Sequence, residues 1–260
     1  MNILDKIVID KRKEVDLKKQ LIPVSQLETS ILFHRETNSL ASALRTSATG
    51  IIAEHKRRSP SKSVINQSLS IQDVAIGYEQ AEVSGMSVLT DGKYFGGSLD
   101  DLLLARASVQ IPLLRKEFII DPYQILEARA YGADVILLIA AILSKEEIKT
   151  FSELAKSLEL EVLLEVHNAE ELHKSIMPSL DMLGVNNRNL KTFEVSLQTS
   201  KSLSALIPVD FVKVSESGIS TVAAIQELKP YGYQGFLIGE NFMKTNNPGE
   251  SANQFIKGLI

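Results

Sequence analysis

Residues 134–167 read DVILLIAAILSKEEIKTFSELAKSLELEVLLEVH and contain one full repeat of the pattern that decides the fold. An apolar run of nine residues, Val135–Leu143, precedes a segment with helical spacing, Lys145–Leu158, and a second short apolar run follows. Ser144 and Glu147 have the spacing of a capping box, which predicts a helix start there. A bilayer needs roughly 20 apolar residues. The first run therefore predicts a buried strand.

The same order of strand and helix recurs along the chain. Apolar runs start near Ile51, Gly85, Leu113, Asp134, Glu161, Met182, Phe211 and Gly235. Eight starts at a mean spacing of about 26 residues predict an α/β protein with a (β/α)8 TIM barrel. The alternative is a doubly wound open sheet, which lacks support because no G-x-G-x-x-G follows the first strand.

The first part of the chain has a different pattern. Ile7–Leu21 and Leu27–Leu44 show helical spacing with many charges, and they predict two or three helices. We therefore expect a single TIM-barrel domain over residues 1–260, with an N-terminal helical extension (1–48) and eight βα units (49–260). The extension could cap the barrel, bind a partner or simply pack, and packing is the simpler interpretation.

Composition limits the classes of function. A net charge of −4 argues against nucleic-acid binding but permits a small anionic ligand where positive charge is gathered locally. The chain has no cysteine, which excludes disulfides and thiol catalysis. Neither a signal-type segment nor a membrane span is present, so we expect a cytoplasmic protein. Without an exposed apolar stripe, we expect a monomer.

Charged residues follow several of the predicted strands, where a TIM barrel has its active site. Glu54 and Lys56 are two residues apart on one strand and share a face. Alternation within Glu161–Val166 turns Glu165 into the barrel, where Lys56 and Lys116 are the nearest predicted cations. A carboxyl group and an ammonium group that tune each other are the parts of general acid–base catalysis. The alternative is a structural ring of ion pairs at the barrel mouth.

Two short motifs predict a phosphate site. Ser217-Gly218 and Ile238-Gly239 follow the seventh and eighth strands, where backbone N–H groups of many barrels bind phosphate.

The basic segment Arg57–Lys62 is interpreted as a loop over an anionic substrate rather than a nucleic-acid patch. Tyr94-Phe95 is expected in a mobile loop that stacks on an aromatic ligand or caps the barrel. Among the histidines only His167 lies near the predicted site, in a supporting or surface role.

Six segments at these strand ends resemble the motifs of the indole-3-glycerol-phosphate synthase family. They are Ile52–Ser61, Tyr94-Phe95 with Gly97-Ser98, Leu114–Phe118, Leu164–His167, Gly184–Leu190 and Ser215–Ile219. The resemblance extends over essentially the whole chain. It implies a (β/α)8 barrel that converts 1-(2-carboxyphenylamino)-1-deoxy-ribulose 5-phosphate to indole-3-glycerol phosphate, CO2 and water. It implies no metal or organic cofactor.

The resemblance also implies roles for individual residues. Lys116 would be the general acid at the ribulose carbonyl, and Lys56 would pair with the substrate carboxylate. Glu165 would serve the dehydration, and Glu54 would be the base that takes a proton as the indole forms. Asn186 would hold a substrate hydroxyl and position Glu54.

The remaining site residues are also implied by the resemblance. Glu216, counted with the catalytic group, and Ser217 would line the mouth of the barrel. Arg188 would lie near the substrate carboxylate and Phe95 against the anthranilate ring. Substrate contacts at the phosphate and ribose complete the set: Ser59, Gly218, Leu237, Ile238 and Gly239.

Three positions depart from the family pattern, namely Ser63, Glu117 and Glu240, which replace glycine, aspartate and a small residue. Glu117 would support Lys116 or Lys56, and Glu240 should point away from the phosphate. The rival enzyme is phosphoribosylanthranilate isomerase, a related barrel whose catalytic cysteine is absent here. The rival from another class is an idle barrel that only binds phosphorylated ligands.

Overall fold

The eight predicted repeats form a closed barrel in the computed structural model, which describes residues 3–189 and 192–260. Its strands are β1 Ile51–His55, β2 Gly85–Leu89, β3 Leu113–Lys116, β4 Val135–Ile139, β5 Glu161–Val166, β6 Met182–Asn186, β7 Val212–Glu216 and β8 Tyr233–Ile238. Each strand pairs in parallel with the next, and β8 closes onto β1 with Phe236 opposite Ile51. The predicted (β/α)8 architecture is confirmed.

Helices connect the strands on the outside of the barrel. Across the described ranges the helices are α1 Ile3–Leu21, α2 Val24–Glu28, α3 Leu40–Thr46, α4 Ile71–Gln80, α5 Gly92–Phe95, α6 Leu99–Ser108, α7 Tyr123–Ala130, α8 Lys145–Ser157, α9 Ala169–Ser175, α10 Gln198–Ser204, α11 Val222–Leu228, α12 Glu240–Met243 and α13 Pro248–Lys257. In this part of the chain no helix is long and apolar enough to cross a membrane.

Helix ends follow from local side-chain chemistry. The Ser144 side chain accepts a hydrogen bond from the Glu147 backbone N–H, and Glu147 accepts one from Ser144, which completes the predicted capping box of α8. Gly132 and Gly232 have φ of +88° and +84°, the left-handed conformation that ends a helix. These contacts explain why the elements start and stop close to their predicted positions.

Alternation along the strands separates two layers of apolar side chains. Leu163 points into the barrel, while Leu164 and Val166 point outward among the helices, as predicted for β5. Inward residues of the other strands fill the interior, among them Leu114, Leu137, Met182 and Val214. The interior is therefore packed below the mouth, and a ligand has room only at the carboxyl ends of the strands.

The N-terminal extension covers both ends of the barrel. Ile7 of α1 packs with Phe118 and Ile139 at the carboxyl ends of the strands. Leu40 and Leu44 of α3 close the opposite end and are fully buried. The structure has three helices here, within the predicted two or three, and the chain between α2 and α3 is not helical.

Asp134 explains why that chain segment leaves the helical conformation. Its Oδ1 accepts hydrogen bonds from Arg35 Nη2 at 2.7 Å and from the Asn38 backbone N–H at 2.8 Å. Its Oδ2 accepts from Arg106 Nη1 at 3.0 Å and from the Leu113 N–H at 2.8 Å. The buried carboxylate thus binds the segment before α3 to the starts of β3 and β4.

Asp134→Asn is expected to lower the free energy of unfolding by about 3 to 5 kcal/mol, because it leaves the buried Arg106 and the partly buried Arg35 without their anion. Urea unfolding followed by circular dichroism measures the loss. Asp100→Asn, on the exposed face of α6, is the matched control and should change little. A loss below about 1 kcal/mol at Asp134 would contradict a stabilising role for this ion cluster.

Lys11 binds α1 to the barrel. Its side chain is only 2% exposed, and Nζ lies 3.0 Å from Asp91 Oδ2, 3.1 Å from Glu117 Oε1 and 2.8 Å from Glu14 Oε2. Charge pairs this deeply buried hold their geometry because separating them leaves a charge without a partner. The position of α1 over the mouth is therefore fixed by ion pairs as well as by apolar packing.

Lys213, a charged residue within β7 that no sequence pattern explains, has a structural role. Its Nζ donates hydrogen bonds to the Ser204 carbonyl at 2.7 Å and to the Tyr231 carbonyl at 3.3 Å. Ser204 is the last residue of α10. Carbonyl groups at a helix end lack partners within the helix, and a lysine supplies them.

Candidate active site

All fourteen predicted site residues line one cavity of about 350 Å³ at the carboxyl ends of the strands. They are Glu54, Lys56, Ser59, Phe95, Lys116, Glu165, Asn186, Arg188, Glu216, Ser217, Gly218, Leu237, Ile238 and Gly239. The barrel brings these residues together from six strands, from the loops that follow them, and, for Phe95, from α5 after β2. Their proximity supports the predicted site, while their individual roles remain proposals.

Lys116 lies between two buried carboxylates. Its Nζ is 3.4 Å from Glu165 Oε2 and also donates to Glu216 Oε2. Burial favours the neutral amine, but the Glu216 and Glu165 carboxylates outweigh burial and raise the pKa of Lys116. The ammonium form is therefore held in place at the base of the cavity.

The two carboxylates bound to Lys116 titrate as a pair, and their environments differ. Burial raises the pKa of Glu216 to about 7, even though the adjacent Lys116 lowers it. Burial also opposes ionisation of Glu165, but Lys116 and the His167 ring outweigh it and lower the pKa of Glu165. One carboxyl group that holds a proton near neutrality thus lies beside one that is ionised, an arrangement suited to acid–base catalysis.

Glu216→Gln is expected to change the pH dependence of stability. Between the ordinary value of 4.5 and about 7, the folded state binds a proton at Glu216 that the unfolded state does not. The contribution of Glu216 is therefore fully present below pH 4.5 and is lost as pH rises through 7. The wild type should lose about 1 to 3 kcal/mol relative to the variant between pH 5 and pH 8.

Urea unfolding of both proteins at the two pH values tests this prediction. Glu153→Gln is the control, since the Glu153 side chain on α8 is 59% exposed. An equal wild-type-to-variant difference at pH 5 and pH 8 would show that Glu216 is ionised throughout.

Glu54 and Lys56 form a second ion pair across the mouth. Lys56 Nζ donates to Glu54 Oε1 at 2.6 Å, which confirms that the two side chains share a face. The sequence predicted Lys56 as a neighbour of Glu165, but the ion pairs of Glu165 are with Lys116 and His167. A Cβ at Gly239 would lie 2.3 Å from Glu54 Oε1, so only glycine leaves room for this carboxylate.

Asn186 contacts a different residue from the one predicted. The side chain of Asn186 hydrogen-bonds to Glu165 and accepts from the Arg188 backbone N–H at 3.0 Å. The proposed positioning of Glu54 by Asn186 does not appear in these contacts, because Glu54 is held by Lys56. Strand order explains the difference: β6 is adjacent to β5, whereas β1 lies across the barrel.

An apolar wall faces the charged groups. The Phe95 ring lies 5.9 Å from Phe118, centroid to centroid, and both rings line the cavity. Phe95 belongs to the short helix α5, whose start is capped by Asp91. The segment predicted as a mobile loop is therefore an ordered helical turn. The two rings, tilted by 40° to each other, give the cavity an apolar aromatic side.

Sequence reasoning missed the part of this wall that α1 supplies. Ile3, Leu4 and Ile7 line the cavity, so packing alone does not describe the extension. Helical spacing identifies these residues as apolar, but their position over the mouth depends on Lys11 contacts distant in sequence. Other lining residues absent from the prediction include Leu89, Leu137, Ile139, Phe193 and Lys244.

The loops after β7 and β8 form the end of the cavity predicted to bind phosphate. Ser217 and Gly218 have φ of +67° and +79°, a left-handed pair that turns the chain at the mouth. Gly239 lies directly before the short helix α12. Arg188 and Lys244 also line the cavity and add positive charge. Among the described residues, no group of three or more His, Asp and Glu side chains is arranged to hold a metal ion.

Comparisons with known proteins assign this geometry to a family. The family model described as "Indole-3-glycerol phosphate synthase" matches residues 4–255. The chain belongs to the indole-3-glycerol phosphate synthase family. Proteins of that name from Bacteroides thetaiotaomicron and Polaromonas sp. are 48% and 41% identical over 258 and 257 residues. These alignments cover 99% of both chains in the first case and 97% of both in the second.

Solved structures show the fold alone. "Crystal structure of KGPDC from Streptococcus mutans" is similar with a TM-score of 0.61 at 11% identity, over 81% of this chain and 96% of that one. "Native KDPGal structure" has a TM-score of 0.56 at 15% identity, over 80% of this chain and 91% of that one. Both structures support the assignment of the barrel fold.

The departures from the synthase family pattern have local explanations. Glu117 was expected to support Lys116 or Lys56, but it pairs with Lys11 and accepts from Thr90 Oγ1 at 2.8 Å. Glu240 pairs with Lys62 at 2.8 Å, so its charge is balanced at the rim. Ser63 is exposed in the loop after β1.

Two arginines of the basic loop after β1 form contacts within the protein. Arg57 forms two hydrogen bonds with Asp101, at 2.5 and 2.7 Å, and Arg58 donates to the Gly92 and Lys93 carbonyls. The two arginines hold the loop against α5 and α6, which leaves Ser59 at the cavity. The interpretation of this segment as a loop over an anionic substrate stays a prediction, and other residues of the loop, Ser59, Pro60 and Ser61, line the cavity.

Proposed function

We propose that this chain is an indole-3-glycerol phosphate synthase of tryptophan biosynthesis. It would convert 1-(2-carboxyphenylamino)-1-deoxy-D-ribulose 5-phosphate to indole-3-glycerol phosphate, releasing CO2 and water. The observation that supports this most directly is Lys116, held as an ammonium between Glu165 and Glu216 at the base of the cavity. Membership of the family is consistent with this chemistry.

The cavity suits a phosphorylated aromatic substrate. The phosphate would bind at Gly218 and Gly239, where backbone N–H groups and nearby cations stabilise a dianion. The aromatic ring would pack on Phe95 and Phe118, and the carboxylate would face Lys56 and Arg188. In this orientation the ribulose carbonyl would lie next to Lys116.

Ring closure needs a proton at the carbonyl oxygen as the new carbon–carbon bond forms. Lys116 would donate it, and general acid catalysis of this kind contributes about 10² to 10⁴-fold in rate. Loss of CO2 from the ring intermediate follows without a further proton. The apolar wall that includes Ile7 would exclude water from this intermediate.

Dehydration needs an acid for the leaving hydroxide and a base for the proton removed from carbon. Glu54 would be the base, since its carboxylate faces the cavity beside Lys56. Glu165, ionised in the free enzyme, would first take up a proton from the Glu216 carboxyl, with which it shares Lys116, and then deliver it to the hydroxide. Glu216 holds such a proton near neutrality, because burial raises its pKa to about 7.

A fluorescence assay for indole formation from the carboxyphenylamino-deoxyribulose phosphate tests the proposal. With EDTA present and no added metal, we expect multiple turnovers and stoichiometric release of CO2. Binding of the substrate without turnover would identify the protein instead as an idle barrel, and absence of binding would contradict the proposed substrate.

We also propose that the enzyme acts as a monomer in the cytoplasm. All fourteen predicted site residues, and the α1 residues that cover them, lie together within one chain. Light scattering of the eluting protein during size-exclusion chromatography should give about the mass of one chain, 28.7 kDa. An equilibrium mass of two chains at assay concentration would contradict the monomer.

A further inference from the structure

His167 lies beside Glu165 but outside the cavity. Its Nε2 is 3.4 Å from Glu165 Oε1, and the side chain is 10% exposed. Glu165 lines the cavity, whereas His167 is not among the lining residues. Nε2 is buried and forms no hydrogen bond with any described residue, so its interaction with Glu165 is an ion-pair contact.

The other ring nitrogen of His167 fixes the ring orientation. Nδ1 lies 3.1 Å from Glu171 Oε2, and the same oxygen accepts from the His167 backbone N–H at 2.8 Å. A carboxylate only accepts hydrogen bonds, so Nδ1 has the proton in this contact. Asn168 caps α9 and donates to Glu171 Oε1 at 2.9 Å, which holds that carboxylate still.

The charged groups around His167 favour its protonated form. Glu165 on the preceding strand β5, Glu171 on α9 and Glu216 on β7 face the ring. Burial opposes protonation, but the nearby Glu171 and Glu165 carboxylates outweigh it and raise the pKa of His167 above its ordinary 6.5. On the far side of Glu165, Lys116 approaches the second carboxylate oxygen at 3.4 Å.

We infer that His167, oriented by Glu171, is a positioning residue that acts through Glu165. The imidazolium and Lys116 hold the two oxygens of Glu165 from opposite sides, which fixes the orientation of the carboxylate and keeps it ionised in the free enzyme. This inference rests on the proposed function, in which Glu165 is the group that works on the leaving hydroxide. His167 itself touches no substrate.

A titration that needs no activity tests the electrostatic part. Imidazole NMR of the wild type, assigned with the His167→Asn variant, should show His167 titrating above 6.5. The His167 midpoint should fall in Glu171→Gln and in Glu165→Gln, since each removes one of the carboxylates that face the ring. A wild-type midpoint at or below 6.5, or a midpoint unchanged in both variants, would overturn the inference.

The pH profile of kcat/KM tests the catalytic part. In His167→Gln the acid limb should move to higher pH by about one unit, because an opposite charge at this distance lowers a carboxyl pKa by about 1 to 3 units. At pH values where His167 is already neutral in the wild type, the variant and the wild type should have the same activity. A merely structural role would lower activity at every pH.

Two further variants complete the design. His167→Asn keeps a donor toward Glu171 but has no group that reaches Glu165, so it should reproduce the shift even if His167→Gln fails to fold. His173→Gln, exposed on α9, should leave the profile unchanged. An acid limb unmoved in His167→Asn would overturn the inference. Absence of turnover in the wild type would instead refute the proposed function, and the NMR titration would still decide the charge of His167.

Discussion

Lys116→Ala is expected to reduce indole formation by at least about 10³-fold while the barrel stays folded. The substitution removes the only described cation within ion-pair distance of both Glu165 and Glu216, and with it the proton proposed for ring closure. The fold should survive because the pKa of Glu216, raised by burial to about 7, lets that carboxyl take up a proton once Lys116 is gone.

Single-turnover and steady-state assays at pH 7.5 measure the loss, with circular dichroism as the test of folding. Lys149→Ala is the matched control, since Lys149 on α8 has a side chain that is 67% exposed. Near-normal activity in Lys116→Ala would refute the assignment of Lys116 as the general acid.

Glu165→Gln is expected to lower kcat by about 10² to 10³-fold and to change KM little. Glutamine has nearly the same shape and keeps the Asn186 contact within reach, but it can neither accept nor deliver a proton in the dehydration. Ring closure and loss of CO2 should still occur, so an intermediate should accumulate before the dehydration. Rapid quench with product analysis by mass spectrometry detects it.

Glu153→Gln provides the comparison for Glu165→Gln, because it makes the same chemical change at an exposed position. A variant with unchanged kcat and a raised KM would show that Glu165 binds substrate and takes no part in proton transfer.

The barrel and the strand-end residues were predictable because both depend on local periodicity. Alternation alone places Leu163 and Glu165 inside and Leu164 outside, and the structure agrees. Strand spacing also brings the four charged residues Glu54, Lys56, Lys116 and Glu165 to one mouth.

Contacts between residues distant in sequence were not predictable in the same way. Arg57 pairs with Asp101 and Glu117 with Lys11, and no local pattern distinguishes these from substrate-facing charges. The position of Lys213 next to the end of α10 is another such case, because it depends on how α10 docks beside β7. Such pairings depend on which elements pack together in the folded barrel, and the spacing of residues along the sequence does not predict that packing.

The buried Lys11 contacts also order the events of folding. Asp91 and Glu117 follow Lys11 by 80 and 106 residues along the chain. During synthesis α1 therefore leaves the ribosome well before β2 and β3 exist, and it cannot bury its lysine until both have paired. Closing so long a loop costs chain entropy, and the contacts with these later strands offset that cost. Helix α1, although it precedes these strands along the chain, is thus expected to settle after them, and an unfinished barrel has no completed catalytic mouth.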